Sequence, residues 1–436
     1  MSNIMVRHGT YVVLIRGVGT VLAFIFSVIL ARSLGAEGYG LYSFALSVLM
    51  IISIPIQSGI PILAVREAAI AAVKNNDTQV ALLWSWSNRL IFSYSLIVVT
   101  SICIMVLMDW QWAYTQRFYV ILMGLLSVPF IALILMQSAI VRGLGWIIKG
   151  IISDGLFRPL INIFLFVVLL LIVGSDHVSP AHAMFVYTVS AAITLLLSFL
   201  IIRASTKNIS VSTNASRVVI SRWRASLSTL TIVGGAQLLF GYIDTLMLGF
   251  FREDSEVGVY RVAVQFSVVV SFGLTVLNQL LHPYISKLYT NKDFDKLQKL
   301  IVSSSLAILG IAAVPALLLL IFGEYILDII YGVEYVAAAL ALKVLVLGQL
   351  INAVIGSVGA LLNMTGHEKD SMKGLLVAIA VNVLLDLILI PLYGIEGAAV
   401  ASATSLAVWN IILKYYVMKR LQIESSSLLY YIKKLY

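Results

Sequence analysis

The chain has 436 residues, of which 61% are hydrophobic and 11% charged, with mean hydropathy +1.03. A water-soluble domain is roughly half apolar and a quarter charged, so this composition excludes one. The net charge of +9 does not point to nucleic acid, because the basic residues cluster between long apolar runs, as in a membrane protein.

A helix needs about 20 apolar residues to cross the hydrocarbon core. The apolar runs predict twelve crossings, at 10–31, 41–63, 89–108, 118–141, 155–174, 181–202, 228–250, 258–281, 300–322, 336–362, 374–391 and 396–417. The N-terminal stretch MSNIMVRHGT leads into the first run without a small-residue cleavage site, which reads as an uncleaved anchor. With the N-terminus in the cytoplasm, 22 Lys and Arg residues fall on the cytoplasmic side or at cytoplasmic span ends (Arg89 and Lys414 among these), three on the other side (Arg32, Arg117, Arg252) and four elsewhere within spans. One missed helix would invert every later loop and destroy this bias. Both termini are therefore expected in the cytoplasm of a cell-membrane protein.

An internal repeat divides the chain. Gly40-Leu41-Tyr42-Ser43-Phe44-Ala45 opens the second span and Gly258-Val259-Tyr260-Arg261-Val262-Ala263 opens the eighth, each copy following a Leu-Gly pair. A proline, Pro61 or Pro283, lies near the far end of each of those spans. Six crossings separate the copies, so they share one orientation, as in parallel transporter repeats. The expected organisation is a six-helix bundle at 1–202, a basic linker at 203–227, a second six-helix bundle at 228–418 and a basic tail at 419–436. Gly35-Ala36-Glu37, Gly332-Val333-Glu334 and Gly394-Ile395-Glu396 mark tight hairpins on the far side. There glycine permits the turn and the acid complements a helix N-terminus.

Charge inside a membrane is costly and marks candidate sites. Arg16 lies two turns into the first span, and it either snorkels to the headgroups or binds an anion in a cavity. Asp154 and Arg158 stand i, i+4 on one helix face, either as a self-neutralising pair or with Arg158 contacting a phosphate that Asp154 helps it reach. Pro159 and Asn162 follow and would loosen that helix. Asp244 lies deep in the seventh span and Asp386 one turn beyond Asn382 in the eleventh, as ion-coupling or countercharge positions. Arg66 and Arg142 close inward helix ends and could form a basic vestibule, and Arg261 and Lys343 are placed to snorkel. The single Cys103 excludes a disulfide framework. No P-loop, dinucleotide fingerprint, H-E-x-x-H or Cys-His cluster occurs, so neither catalysis, a cofactor nor a metal centre is expected.

The stretch ARSLGAEGYGLYSFALSVLMIISIPIQSGIPILAVREAA (31–69) resembles the start of bacterial polysaccharide-repeat-unit flippases, the Wzx-type members of the MATE-like superfamily. NVLLDLILIPLYGIEGAAVASATS (382–405), IYGVEYVAAALALKVL (330–345) and Asn363-Met364-Thr365-Gly366 are similar to its later helices. The resemblance implies two six-helix bundles in a V around a central cavity. It also implies alternating-access transfer of an undecaprenyl-pyrophosphate-linked oligosaccharide to the outer leaflet, for cell-surface polysaccharide such as O-antigen. Arg16, Arg142 and Arg158 then become cavity cations, and Asp244 and Asp386 become coupling or countercharge sites for H⁺ or Na⁺. The implied partners are membrane lipids and, for handing on the cargo, a polymerase and a chain-length regulator. Two rival readings remain: a cation-coupled small-molecule exporter of the multidrug-and-toxin type, and a membrane polymerase or ligase, which the lack of a long outward loop opposes.

Overall fold

A computed structural model describes residues 2–74, 76–107, 115–205, 217–427 and 430. The middle of the expected linker, 206–216, and most of the tail beyond 427 lie outside the described residues. Among those described, every long element is a helix. They run α1 (Ser2–Ile52), α2 (Ile54–Gln57), α3 (Gly59–Val73), α4 (Asp77–Leu107), α5 (Gln116–Leu125), α6 (Ser127–Gly143), α7 (Ile147–Ile152), α8 (Arg158–Val173), α9 (Pro180–Ser205), α10 (Arg217–Phe251), α11 (Asp254–Thr290), α12 (Phe294–Ile330), α13 (Ala339–Ile355), α14 (Val358–Met364) and α15 (Glu368–Leu421). A π-helical turn, Ser153–Phe157, joins α7 to α8.

Eleven described helical stretches are long and apolar enough to span a bilayer. The first and last each hold two crossings. In α1 the chain reverses at Gly35 (φ 67, ψ 176) and in α15 at Gly394 (φ 58, ψ −129). The second half of α1 continues through α2 and α3 as one crossing, so the described residues make twelve. Gly332, at the remaining expected hairpin, also has positive φ (111°), the left-handed region that L side chains rarely enter.

Several crossings are broken, at prolines that lack the ladder N–H or at a glycine in a left-handed conformation. Pro55 stands in the one-turn α2, and Pro129 follows the α5–α6 break. Gly356 (φ 82) ends α13 within the span expected at 336–362. The span predictions missed this last break, because Ile355-Gly356-Ser357-Val358 sits inside an otherwise apolar run.

The chain divides into two compact units, Met1–Tyr242 and Ile243–Tyr436, with the division falling inside α10. Without water between helices, small residues let backbones approach. In the first unit Ala64 and Ala68 of α3 and Ala132 and Ala139 of α6 are fully buried. In the second, Ala341 of α13 and Ala398, Ala399 and Ala401 of α15 are buried likewise. The second unit closes at one end on Leu281, Ile285, Leu297, Ile301, Leu361, Leu413 and Val417. Beyond α15 the chain turns at Gln422 (φ 56), and Ile423–Ser427 are buried in the same unit. Gln298 holds that segment, donating to the Glu424 carbonyl (2.8 Å) and accepting from its N–H (2.9 Å).

Candidate functional site

The first unit assembles a cationic cluster around the π-turn. Pro159 has no N–H to give to the Gly155 carbonyl four residues earlier. Arg158 N–H instead reaches back five residues to Ser153 O. The freed Gly155 carbonyl lies against Gly19 of α1, where a Cβ would sit 1.9 Å from that oxygen. The loosening expected at Pro159 and Asn162 thus falls one turn earlier, and it fixes α1 against the turn. π-turns of this kind recur at functional sites.

On this turn Arg158 Nη1 donates to Asp154 Oδ1 at 3.0 Å. Arg158 Nη2 donates to the Tyr187 hydroxyl of α9 at 3.4 Å, with the guanidinium carbon 5.6 Å from the ring centroid. Both partners fix the plane of the guanidinium. Tyr42 lies close by, and Ser190 of α9 donates to the buried Asn162. Arg142 donates to Ser138 O (3.3 Å), and its side chain runs over Gly150, where a Cβ would meet its Cγ. It is near enough to Arg16 to be repelled and to Asp154 to be attracted. Arg16 is exposed. Four sequence-predicted residues therefore come together, three guanidiniums against one carboxylate. Such a group favours an anion, and Arg forks suit phosphate.

Arg66 is engaged differently. It pairs with Glu67 (3.1 Å), whose other oxygen takes Arg222 at 3.1 Å. Neither Glu67 nor Arg222 stood out in sequence, since an acid within a basic segment reads as ordinary loop chemistry.

The second unit holds the opposite charge. Asp244 of α10 accepts from Asn382 of α15 at 2.8 Å and from the Tyr260 hydroxyl of α11 at 3.0 Å. Ser402 lies beside Asp244 and Tyr260. Asp386 adjoins Asp244 and is fully buried, yet neither of its carboxyl oxygens, nor Asn382 Oδ1, has a hydrogen-bond donor among the described residues. Two adjacent buried carboxyls repel unless a proton or a cation lies with them. The oxygen set of two carboxyls, an amide and a hydroxyl suits a hard cation. Tyr260 belongs to the internal repeat, which signalled architecture but not this contact. Its counterpart Tyr42 is buried in the first unit near Arg158, so each copy of the repeat places its tyrosine at a charged cluster.

Two of the remaining membrane-boundary cations also find partners. Lys343 pairs with Glu324 at 3.0 Å. Arg252 donates to the Ile390 and Pro391 carbonyls, both at 3.1 Å, beside the Gly394 hairpin.

Fold and charge together define a multi-pass membrane protein of the MATE-like class. An inward-facing multidrug resistance MATE family transporter of the MOP superfamily superposes with TM-score 0.76 at 12% identity, over 94% of this chain and 98% of that one. The lipid II flippase MurJ, in an inward closed conformation, gives 0.71 at 13% identity over 94% and 89%. At such identities the likeness concerns the fold. The sequence model of the polysaccharide biosynthesis protein family matches residues 5–289, and that of MatE residues 231–388. The chain belongs to the polysaccharide biosynthesis protein family. Two relatives come from Haloferax volcanii. "Probable low-salt glycan biosynthesis flippase Agl15" is 24% identical over 198 residues, and "Probable flippase AglR" is 30% identical over 183. These matches take in 45% and 40% of this chain, and only 41% and 37% of the relatives' own length.

Proposed function

We propose that this protein is a flippase that carries a lipid-linked oligosaccharide, its glycan joined to an isoprenoid through pyrophosphate, from the cytoplasmic to the outer leaflet. The observation that carries the reading is the surplus of guanidinium over carboxylate around the π-turn. Arg16, Arg142 and Arg158 would receive the pyrophosphate, with Asp154 and Tyr187 aiming Arg158. Family membership and the flippase relatives support the same direction of inference. Undecaprenyl is the carrier that the resemblance to bacterial repeat-unit flippases implies, and O-antigen or a similar surface glycan is the product. A polymerase and a chain-length regulator would act on the delivered cargo.

The energy source in this reading is an ion gradient acting on Asp244 and Asp386, with H⁺ or Na⁺ as the coupling ion. Ion binding there would bias alternating access of the two bundles, and no bond in the cargo is made or broken. The excess of basic residues on one side, 22 against three, supports cytoplasmic termini and a cytoplasmic (inner) membrane location. The buried acidic pair also suits a cation-coupled exporter of small molecules, which is the second reading; the cationic cluster in the first unit disfavours lipophilic cations as its cargo.

The test is a strain deleted for this gene, with lipid-linked oligosaccharide extracted and its leaflet scored by an impermeant sugar-reactive probe. Complete units trapped on the cytoplasmic face are expected. Normal outward exposure, once redundant flippases are removed, would reject the flippase and leave the exporter.

A further inference from the structure

Glu67 lies midway along α3 with only 2% of its side chain exposed. Its Oε1 accepts from Arg66 Nε and Nη2 (3.2 and 3.1 Å), and its Oε2 from Arg222 Nη2 (3.1 Å) and Gln79 Nε2 (3.4 Å). A lone buried carboxylate requires such partners. Two guanidiniums on one carboxylate nevertheless leave a net positive charge. The Arg66 and Arg222 side chains stay 46% and 60% exposed. The bonds to Glu67 use Nε and Nη2 of Arg66 and Nη2 of Arg222, which leaves the other guanidinium N–H groups for a ligand.

The geometry is braced from behind. Trp223, next to Arg222, is fully buried and packs on Trp86 of α4 with ring centroids 5.4 Å apart. That contact fixes the first turns of α10 against the bundle, and with them the backbone that carries Arg222. The two guanidiniums are therefore held on one carboxylate, and Lys74, Arg89 and Arg224 are exposed as well. Asp77 is the exposed acid of the adjoining turn. Paired, half-exposed guanidiniums with free N–H groups at a membrane boundary match a phosphate or pyrophosphate group.

We infer that Arg66 and Arg222, set by Glu67, form a second anion site on the first unit that takes the phosphate headgroup of an amphiphile, separate from the cluster around Arg158. The role of this site rests on the flippase reading: it would collect the cargo's headgroup at the leaflet surface before the Arg16–Arg142–Arg158 cluster receives it. Binding itself can be measured without transport.

The experiment is native mass spectrometry of the purified full chain titrated with farnesyl pyrophosphate, in an Arg158→Gln background that weakens the other site. Arg66→Gln with Arg222→Gln is expected to weaken the remaining binding by about tenfold or more, since charge-assisted hydrogen bonds are lost. That variant unpairs Glu67 and could misfold, so Arg66→Lys with Arg222→Lys is measured beside it. The lysines keep the charge and a partner for Glu67 but lose the fork. Comparable weakening in the lysine variant supports a guanidinium site. Wild-type affinity in either variant overturns the inference, even if Arg158→Gln alone abolishes transport and so upholds the flippase reading. Inorganic pyrophosphate is the second arm: equal affinity assigns the site to free phosphates, and a clear preference for farnesyl pyrophosphate assigns it to a lipid headgroup.

Discussion

Asn382 donates to Asp244 at 2.8 Å across 138 positions of sequence, and Asp386, one turn further along α15, is buried beside them without a donor among the described residues. If this pair is the coupling site, an ion that binds it must stabilise the fold, because the unfolded chain offers no such site. Saturation at about 100 times Kd is worth about 2.7 kcal/mol, which moves a melting temperature by several degrees. We therefore expect the wild-type protein to melt higher in sodium than in choline, or at one pH than another. Asp386→Asn should remove that response while keeping the expression level. An unaltered response in the variant would place the coupling ion elsewhere.

Gly19 to Ala is the sharpest test of the π-turn. Its Cβ would lie 1.9 Å from the Gly155 carbonyl, a backbone atom that cannot step aside. Overpacking of this kind costs about 1–3 kcal/mol, and here it would also shift the turn that carries Asp154 and Arg158. A lowered melting temperature with lost transport is expected. Gly310→Ala, which has open space around its would-be Cβ, should be neutral or slightly stabilising. Equal behaviour of the two variants would contradict the close approach of α1.

Arg158 to Lys keeps the charge but loses the planar guanidinium that bridges Asp154 and the Tyr187 hydroxyl and lies near the Tyr187 ring. Losing a charge-assisted hydrogen bond of about 1.5–3 kcal/mol should lower the rate of glycan exposure by about tenfold or more at normal protein level. Tyr187→Phe keeps the ring and removes only the hydroxyl, so it should cost less. A Tyr187→Phe loss as large as that of Arg158→Lys would mean that the hydroxyl, rather than the guanidinium, meets the cargo.

Arg252 is one of three bases expected on the poorly charged side, and its guanidinium caps the carbonyls of Ile390 and Pro391. Arg252→Met should leave both without this donor and loosen the hairpin at Gly394. Faster amide hydrogen exchange over 388–398 is expected, with about 1–3 kcal/mol of lost stability. No change in exchange would show that water serves those carbonyls equally well.

Within the second unit, the number of crossings and the hairpin at Gly394 are legible in the sequence. Hydropathy, basic-residue placement and glycine position report directly on membrane crossings and reversals. The break at Gly356 was not legible, because an apolar run hides a residue whose backbone, rather than its side chain, ends the helix. The acids Asp244 and Asp386 announced themselves by being charged in apolar spans, and their adjacency did not.

What the sequence determined by itself was therefore what depends on composition and local order: a twelve-crossing all-helical chain, a repeated G-x-Y-x-x-A signal, and a short set of intramembrane charges. Tertiary structure alone decided which groups distant in sequence meet these charges. It put Arg158 between Asp154 and Tyr187 through a π-turn that Pro159 and Gly19 jointly impose. It turned the repeat's Tyr260 into a donor for Asp244, and it joined Arg66 to Arg222 through Glu67. Such contacts rest on helices distant in sequence whose faces are set by packing, and no periodicity along one helix records which face of another will cover it.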